Sequence, residues 1–453
     1  MNKFIKPSTV LLGVAALPMM AAGQNLPNII YIMTDQQSGQ AMSCAGNPDI
    51  QTPNMDRLAD NGIRFTNAYC AFPLSGPTRA AMFTGYYPSQ IGMDQNEIPM
   101  KDSLRTNTLG TQVKKAGYDC AYAGKWHVNT ISIPDREFGF TNIKDNGDAG
   151  IAEACVDYLR NRDKRKPFFL VASYTNPHNI CEFARNQNTP MADVAYADLK
   201  DCPNLPVNYS VGPYEPSVLR FEQQQNFSLY PTTAFTDDDW RRYRNAYYRL
   251  TEAVDAEIGK IIDEIDRQNL WKNTVIIFTS DHGDGSGAHH WNQKTALYEE
   301  VANIPFIVCL PGKANAGTVS DALVNNAVDF MPSICDWTKA EMPAGRQGVS
   351  FREVAEKGAE GQKYVVTETN FNQTAGTLGW MVRTAKYKYV LYDKGQYREQ
   401  LYDMEKDRYE MVNLAVEAKY AEVLSEHRAL LKEWMEKHPA PKRARHINFI
   451  PKH

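Results

Sequence analysis

The chain lacks the run of roughly 20 apolar residues that a membrane-spanning helix needs; its N-terminal candidate, Val10 to Met20, is too short. It also lacks a charge excess, with 49 basic and 53 acidic residues and a formal charge of -4. That balance argues against a polyanion-coating surface, so nucleic acid is not an expected partner. An anionic ligand has to be met by local positive charge. Gly and Pro are not in excess at 28 and 25 of 453 residues, and no internal repeat or heptad pattern is present. Disordered, fibrous and coiled-coil classes are excluded on that ground. The eight cysteines show no paired metal-ligand spacing, and none follows the N-terminal apolar run, so neither a zinc module nor a lipoprotein anchor is expected.

What remains is a globular composition, 43% apolar and 23% charged, in a chain long enough for one large domain and a smaller one. Lys3 and Lys6, the apolar run and then Ala21-Ala22-Gly23 read as a signal peptide over residues 1–23. Its cleavage leaves 47 of the 49 basic residues against 53 acidic ones. Export permits disulfides. Cys120 and Cys309 sit in apolar runs and read as buried thiols; Cys181 and Cys202 bracket a loop-like stretch and are the favoured pair, although no bridge is assigned.

Short apolar runs alternate with helical patterns. Asn28 to Thr34, Tyr118 to Ala123, Phe168 to Tyr174, Val275 to Ser280 and Pro305 to Leu310 read as strands. Thr52-Pro53-Asn54 opens a short helix that ends near Asn61-Gly62, and Val254, Ile258, Ile261, Ile262 and Ile265 share one helical face. This alternation predicts an α/β fold, a mostly parallel sheet with helices on both faces. Residues 181–240, rich in Asn, Gln, Pro and Tyr, break the rhythm and read either as a substrate-facing insertion or as a plain surface excursion. Beyond about residue 360, Trp380 to Thr384, Lys386 to Tyr392 and Glu399 to Tyr402 read as antiparallel strands, and Ala418 to Lys437 as a helix. The expected division is a large domain over 24–360 and a smaller α+β subdomain over 361–453, whose basic tail, Lys442 to His446, is a solvated end.

In open parallel sheets ligands bind beyond the carboxyl ends of the strands. Four predicted strands are followed there by ionisable or ligating groups: Asp35-Gln36, Lys125-Trp126-His127, Asn176-Pro177-His178 and Asp281-His282. Asp35, Gln36, Asp281 and His282 offer carboxylate, amide and imidazole ligands. Two carboxylates suit a hard cation such as calcium, while the imidazole also suits manganese or zinc. Each Asp taken singly could be a helix cap. Ser75 sits at a helix start, with Pro77 in the first turn and Gly85 at the end; alone it is an N-cap. A helix N-terminus is also an anion site, and Arg79 lies one turn further on.

The run Ser75-Gly76-Pro77-Thr78-Arg79, with Thr84-Gly85, resembles the signature of the formylglycine-dependent sulfatases, members of the alkaline-phosphatase-like superfamily. Gly124-Lys125-Trp126-His127, Ser280-Asp281-His282-Gly283, and Lys294 with Tyr298-Glu299-Glu300 and Ile304-Pro305 resemble later motifs of that family. So do Arg383 to Val390, Gln400 to Asp403 and Asn413-Leu414-Ala415, and the likeness runs in order along nearly the whole chain after residue 23. The resemblance implies conversion of Ser75 to formylglycine, whose hydrated form attacks sulfur beside one bound calcium. It implies Asp35, Gln36, residue 75, Asp281 and His282 at the metal. Arg79 and Lys125 stabilise the sulfate, His127 takes a proton from residue 75, and His178 and Lys294 serve the leaving group. His290 and Trp291 are expected either to touch the sugar or merely to pack. A serine at position 75 implies an anaerobic-type sulfatase-maturating enzyme as a partner and, with the signal peptide, a bacterial periplasmic enzyme acting on a sulfated saccharide, glycosaminoglycan- or mucin-derived and attacked from an end.

Gln36 stands where a second Asp is common in the family, and His282 where Asn is frequent. That combination resembles a branch that includes phosphonate monoester and phosphodiester hydrolases, which leaves such esters as an alternative substrate class. A non-catalytic glycan-binding relative is a further alternative, although it has no need of a nucleophile, two lysines, three histidines and metal ligands together.

Overall fold

Asn28–Asp35 has no exposed side chain along its eight residues and forms the central strand, β1. Cover on both faces explains why the run is continuously apolar and does not alternate. A computed structural model of the protein describes residues 26–128, 136–187, 197–371 and 376–440. The expected signal peptide and the basic tail from Lys442 lie outside the described residues.

β1 joins β2 (Ile63–Phe65), β3 (Asp119–Gly124), β4 (Thr141–Lys144), β5 (Phe168–Pro177), β6 (Thr274–Ser280), β7 (Phe306–Cys309) and β8 (Thr318–Ser320). The sheet order is β4-β3-β5-β1-β6-β7-β2-β8. β4, β3, β5, β1 and β6 are mutually parallel, whereas β7 runs antiparallel to both β6 and β2. Alternate residues of β1 face opposite cores. Ile29, Tyr31 and Met33 pack with residues of the helices Ser75–Thr84 and Leu109–Lys115. Ile30 and Ile32 pack with Ile151–Asn161 and with the long helix Asp237–Arg267. The long helix opens on a capping box, Thr236 with Asp239. Its face of Val254, Ile258, Ile261, Ile262 and Ile265 is fully buried, as the spacing predicts, each side chain contributing about 1.5–3 kcal/mol.

The described part of residues 181–240 holds 3-10 turns and short helices, of which Ile180–Ala184 packs against the long helix and Ser217–Gln225 against Trp291, Tyr298 and the C-terminal sheet. The favoured cysteine pair is not formed: all eight cysteines are free. Cys181 instead directs its thiol at Gln293 Oε1, 3.2 Å away, and Cys202 at the Asp198 carbonyl.

The C-terminal sheet has four antiparallel strands in sequence order, Tyr364–Asn370, Leu378–Thr384, Tyr387–Tyr392 and Glu399–Asp403. The first was not expected. The final helix covers Ala421–Lys437, because Ala418–Tyr420 forms a 3-10 turn ahead of it. A buried ion network fastens this sheet to the loop that follows Lys294. Lys388, with no exposed surface, reaches Glu410 at 2.6 Å and Glu299 at 3.1 Å. Glu299 also accepts from Tyr69, which accepts in turn from Arg383.

Gly124 closes β3 with φ +96°. A Cβ there would lie 2.0 Å from the Ser173 carbonyl oxygen on β5, a clash with backbone that no rotamer relieves. Left-handed strain and overpacking together give an expected loss of about 2–5 kcal/mol for Gly124→Ala. Chemical denaturation checks it; a variant within about 0.5 kcal/mol of the parent would show that the two strands need no such approach.

Candidate active site

The parallel registers bring four strand ends to one edge. Thr34 pairs with Ser280, Asp35 with Pro177, and Gly124 with Ser173. Asp35, Lys125, His178 and Asp281 therefore leave adjacent strands on the same side. Ser75 arrives separately, as the first residue of its helix. Leu74, not Ser75, occupies the cap position, and no side chain caps it. The Ser75 hydroxyl is spent elsewhere: it lies 3.1 Å and 3.2 Å from the two Asp35 carboxylate oxygens and 3.1 Å from His282 Nε2.

Arg79, one turn into that helix and fully buried, organises the charges. Its Nη2 donates to Asp35 Oδ2 at 2.9 Å and its Nε to Asp281 Oδ2 at 2.8 Å. Its Nη1 donates to the Lys125 carbonyl and the Ser173 hydroxyl, both at 2.8 Å. Lys125 Nζ adds a 2.6 Å pair to Asp35 Oδ2. Burial alone would raise the Asp35 carboxyl; the positive charges of Lys125 and Arg79 outweigh it and hold the group well below the usual carboxylate range. Asp281 Oδ1 accepts the backbone amides of Gln36 and His282.

Asp35, Asp281 and His282 offer one ligand atom each within 4.8 Å of one another. His282 Nδ1 faces the Gly283 carbonyl at 2.9 Å. A carbonyl only accepts, so Nδ1 carries the hydrogen and Nε2 turns a lone pair toward Ser75. Two carboxylates and one imidazole lone pair fit a divalent cation. The Gln36 amide, expected among the ligands, is engaged on both sides: Nε2 donates to Asp284 at 2.7 Å and Oε1 accepts from Lys294 at 3.1 Å. Its oxygen keeps a second lone pair.

A cavity of about 520 Å³ lies against this cluster, and Lys125, His127, His178 and Lys294 all line it. Lys294 Nζ is 3.0 Å from His178 Nε2. An ammonium only donates, so His178 presents a lone pair there. His127 Nδ1 is buried with no hydrogen-bond partner among the described residues. Burial, then the charges of Lys125 and Arg79, push the His127 imidazole down to about 3. Burial, then Lys294, lower His178 well below its ordinary value. Gln36, His127, Gln293 and Thr295 all hold positive φ, 68°, 52°, 68° and 73°. For a β-branched residue such as Thr295 that conformation is rare, and such strain concentrates at functional sites.

The two proposed sugar contacts are not brought into this cavity. Trp291 is 4% exposed, packs against Tyr298 and bonds the Lys294 carbonyl through Nε1, so it supports the lysine loop. His290 stacks on Tyr209, with ring centroids 4.0 Å apart. Sequence reasoning missed Ser173, Gln293 and Asp284, which hold Arg79, Cys181 and Gln36 respectively. Asp284 had a visible signal, three residues after Asp281 in one motif; Ser173 and Gln293 had none. Arg185, Glu222 and Tyr230 of the insertion also line the cavity.

The sulfatase family model matches residues 27–340. A second, the C-terminal part of N-sulphoglucosamine sulphohydrolase, matches 287–437. The chain belongs to the sulfatase family. It is 31% identical to a Delta 4,5-hexuronate-2-O-sulfatase of Bacteroides thetaiotaomicron, over 94% of this chain and 92% of that one. An N-acetylglucosamine-6-O-sulfatase of the same organism is 30% identical, over 94% and 90%. A 2-O GAG sulfatase of known structure superposes with a TM-score of 0.81 at 28% identity, covering 94% of this chain and 95% of that one.

Because both cavity imidazoles are lowered in the folded sulfatase, they stay neutral as pH falls through 6.5. We expect kcat/KM to show no acid limb with a midpoint at 6–7 arising from His127 or His178. A limb there that disappears in His127→Ala or His178→Ala would contradict this.

Proposed function

We propose that this sulfatase removes sulfate from glycosaminoglycan- or mucin-derived sugars, acting at a chain end, with formylglycine made from Ser75 as nucleophile and one calcium ion beside it. The observation that carries the reading is the position of Ser75 Oγ, within 3.2 Å of Asp35 and His282, with Asp35 paired in turn to Lys125, which lines a cavity together with Lys294. The saccharide sulfatases named above support the substrate class. Phosphonate esters are the lesser reading, since only Gln36 and His282 favour them.

Asp35, Asp281 and His282, with Gln36 adjoining, would hold calcium, which would supply Lewis acidity and a template for the sulfate. Formylglycine supplies an oxygen nucleophile that plain serine does not regenerate after transfer. The remaining work falls to the chain itself. Arg79 fixes both carboxylates, so neither swings when a substrate arrives. Lys125 neutralises charge on the sulfate. His127, neutral and unpartnered at Nδ1, accepts a proton from residue 75. Lys294 carries the hydrogens, and with His178 it delivers one to the departing sugar oxygen. Residues 24–360 carry this chemistry and 361–453 brace it. Export through the signal peptide to the periplasm and maturation by an anaerobic-type enzyme belong to the same proposal. Among the described residues no helix is long and apolar enough to cross a membrane.

Two experiments test it. The tryptic peptide Phe65 to Arg79 from active protein should weigh two hydrogens less than its encoded mass; full activity with an unmodified peptide would overturn the nucleophile. Lys294→Ala should lose far more kcat on a sugar sulfate, whose alcohol needs a proton, than on 4-nitrophenyl sulfate, whose phenolate does not. We expect a gap of about 10²- to 10⁴-fold, the usual yield of acid catalysis. Equal losses on both esters would remove Lys294 from the leaving-group role.

A further inference from the structure

The cavity lined by Lys125, His127, His178 and Lys294 holds a cation that the chemistry above leaves unused. Arg185 follows the helix Ile180–Ala184 and lines the cavity with Lys125 and Lys294. The two lysines are committed, Lys125 to Asp35 at 2.6 Å and Lys294 to Gln36 and His178. The Arg185 guanidinium lies 4.5 Å over the Tyr230 ring and donates from Nη2 to the Tyr230 hydroxyl. Its Nε is buried and has no hydrogen-bond partner among the described residues. Glu182 is near enough to feel its charge, yet its Oε2 is likewise unbonded. Two carboxylates, Glu97 and Glu222, also line the cavity.

Stacking on Tyr230 fixes the plane of the guanidinium and occupies one of its edges. The fork that remains matches a planar carboxylate or a sulfate, and the desolvated wall strengthens such a bond. We propose that Arg185 binds a second anionic group of the substrate while the scissile sulfate sits at Ser75. The group is a uronic acid carboxylate or a second sulfate on an amino sugar. This rests on the sulfatase reading of the same cavity. It also gives the insertion over 181–240 a chemical task, because Arg185 and Tyr230 both belong to it.

The test compares kcat/KM of matured enzyme within two substrate pairs. One pair is a 2-O-sulfated hexuronate and its uncharged methyl ester; the other is glucosamine 2-N,6-O-disulfate and N-acetylglucosamine 6-sulfate. In wild type the doubly anionic member of one pair should lead, and the leading pair names the anion. Arg185→Ala should shrink that lead on the order of 10- to 100-fold, chiefly through KM, as loss of a charged hydrogen bond does. Arg185→Lys should keep part of it. Wild type indifferent within both pairs overturns the inference without any variant, and so does a lead that survives in Arg185→Ala. Sulfate release with an indifferent ratio sinks only Arg185. If neither 4-nitrophenyl sulfate nor any sugar releases sulfate, the sulfatase reading falls and this inference falls with it.

Discussion

A buried guanidinium bridging two buried carboxylates is the constraint on which the rest of the structure depends. Arg79 has no exposed surface, and neither Asp35 nor Asp281 does. Removing one partner from such a group leaves uncompensated charge, at about 3–5 kcal/mol. The cluster is therefore a poor device for stability and a good one for position. It holds two carboxylates in fixed orientation beside residue 75. Lys125 makes Asp35 more acidic still, which suits a ligand that must stay ionised in a dry site.

Much of the fold serves that geometry. Parallel pairing is what sends Asp35, Lys125, His178 and Asp281 out on one edge. Gly124 lets β3 approach β5 so that the Lys125 carbonyl and Ser173 hydroxyl meet Arg79. The C-terminal sheet acts from further away. Its Lys388 pairs with Glu299, five residues beyond Lys294, and so braces the loop that carries Lys294.

The α/β class was legible because buried parallel strands read as unbroken apolar runs, and the strand-end groups were legible because each follows such a run. The family motifs sharpened them. Other features depended on contacts distant in sequence. Ser75 reads as an N-cap by spacing, yet Asp35 and His282, from two other strands, claim its hydroxyl. Trp291 beside a lysine reads equally as a sugar contact or as packing, and Tyr298 and the Lys294 backbone bury it. Cys181 and Cys202 bracket a loop, but Gln293, over a hundred residues away, takes the thiol. Tyr364–Asn370 was missed because its polar half, Thr-Glu-Thr-Asn, is buried by polar partners, which no apolar pattern announces.

The most direct measurement of whether the charged cluster exists to hold a cation beside residue 75 is elemental analysis of the desalted, matured protein, set beside Asp281→Asn. One calcium per chain in the parent, lost in the variant together with sulfate release while the far-ultraviolet spectrum is kept, is the expected result. A metal-free parent that is fully active, or a variant that retains the ion, would contradict it.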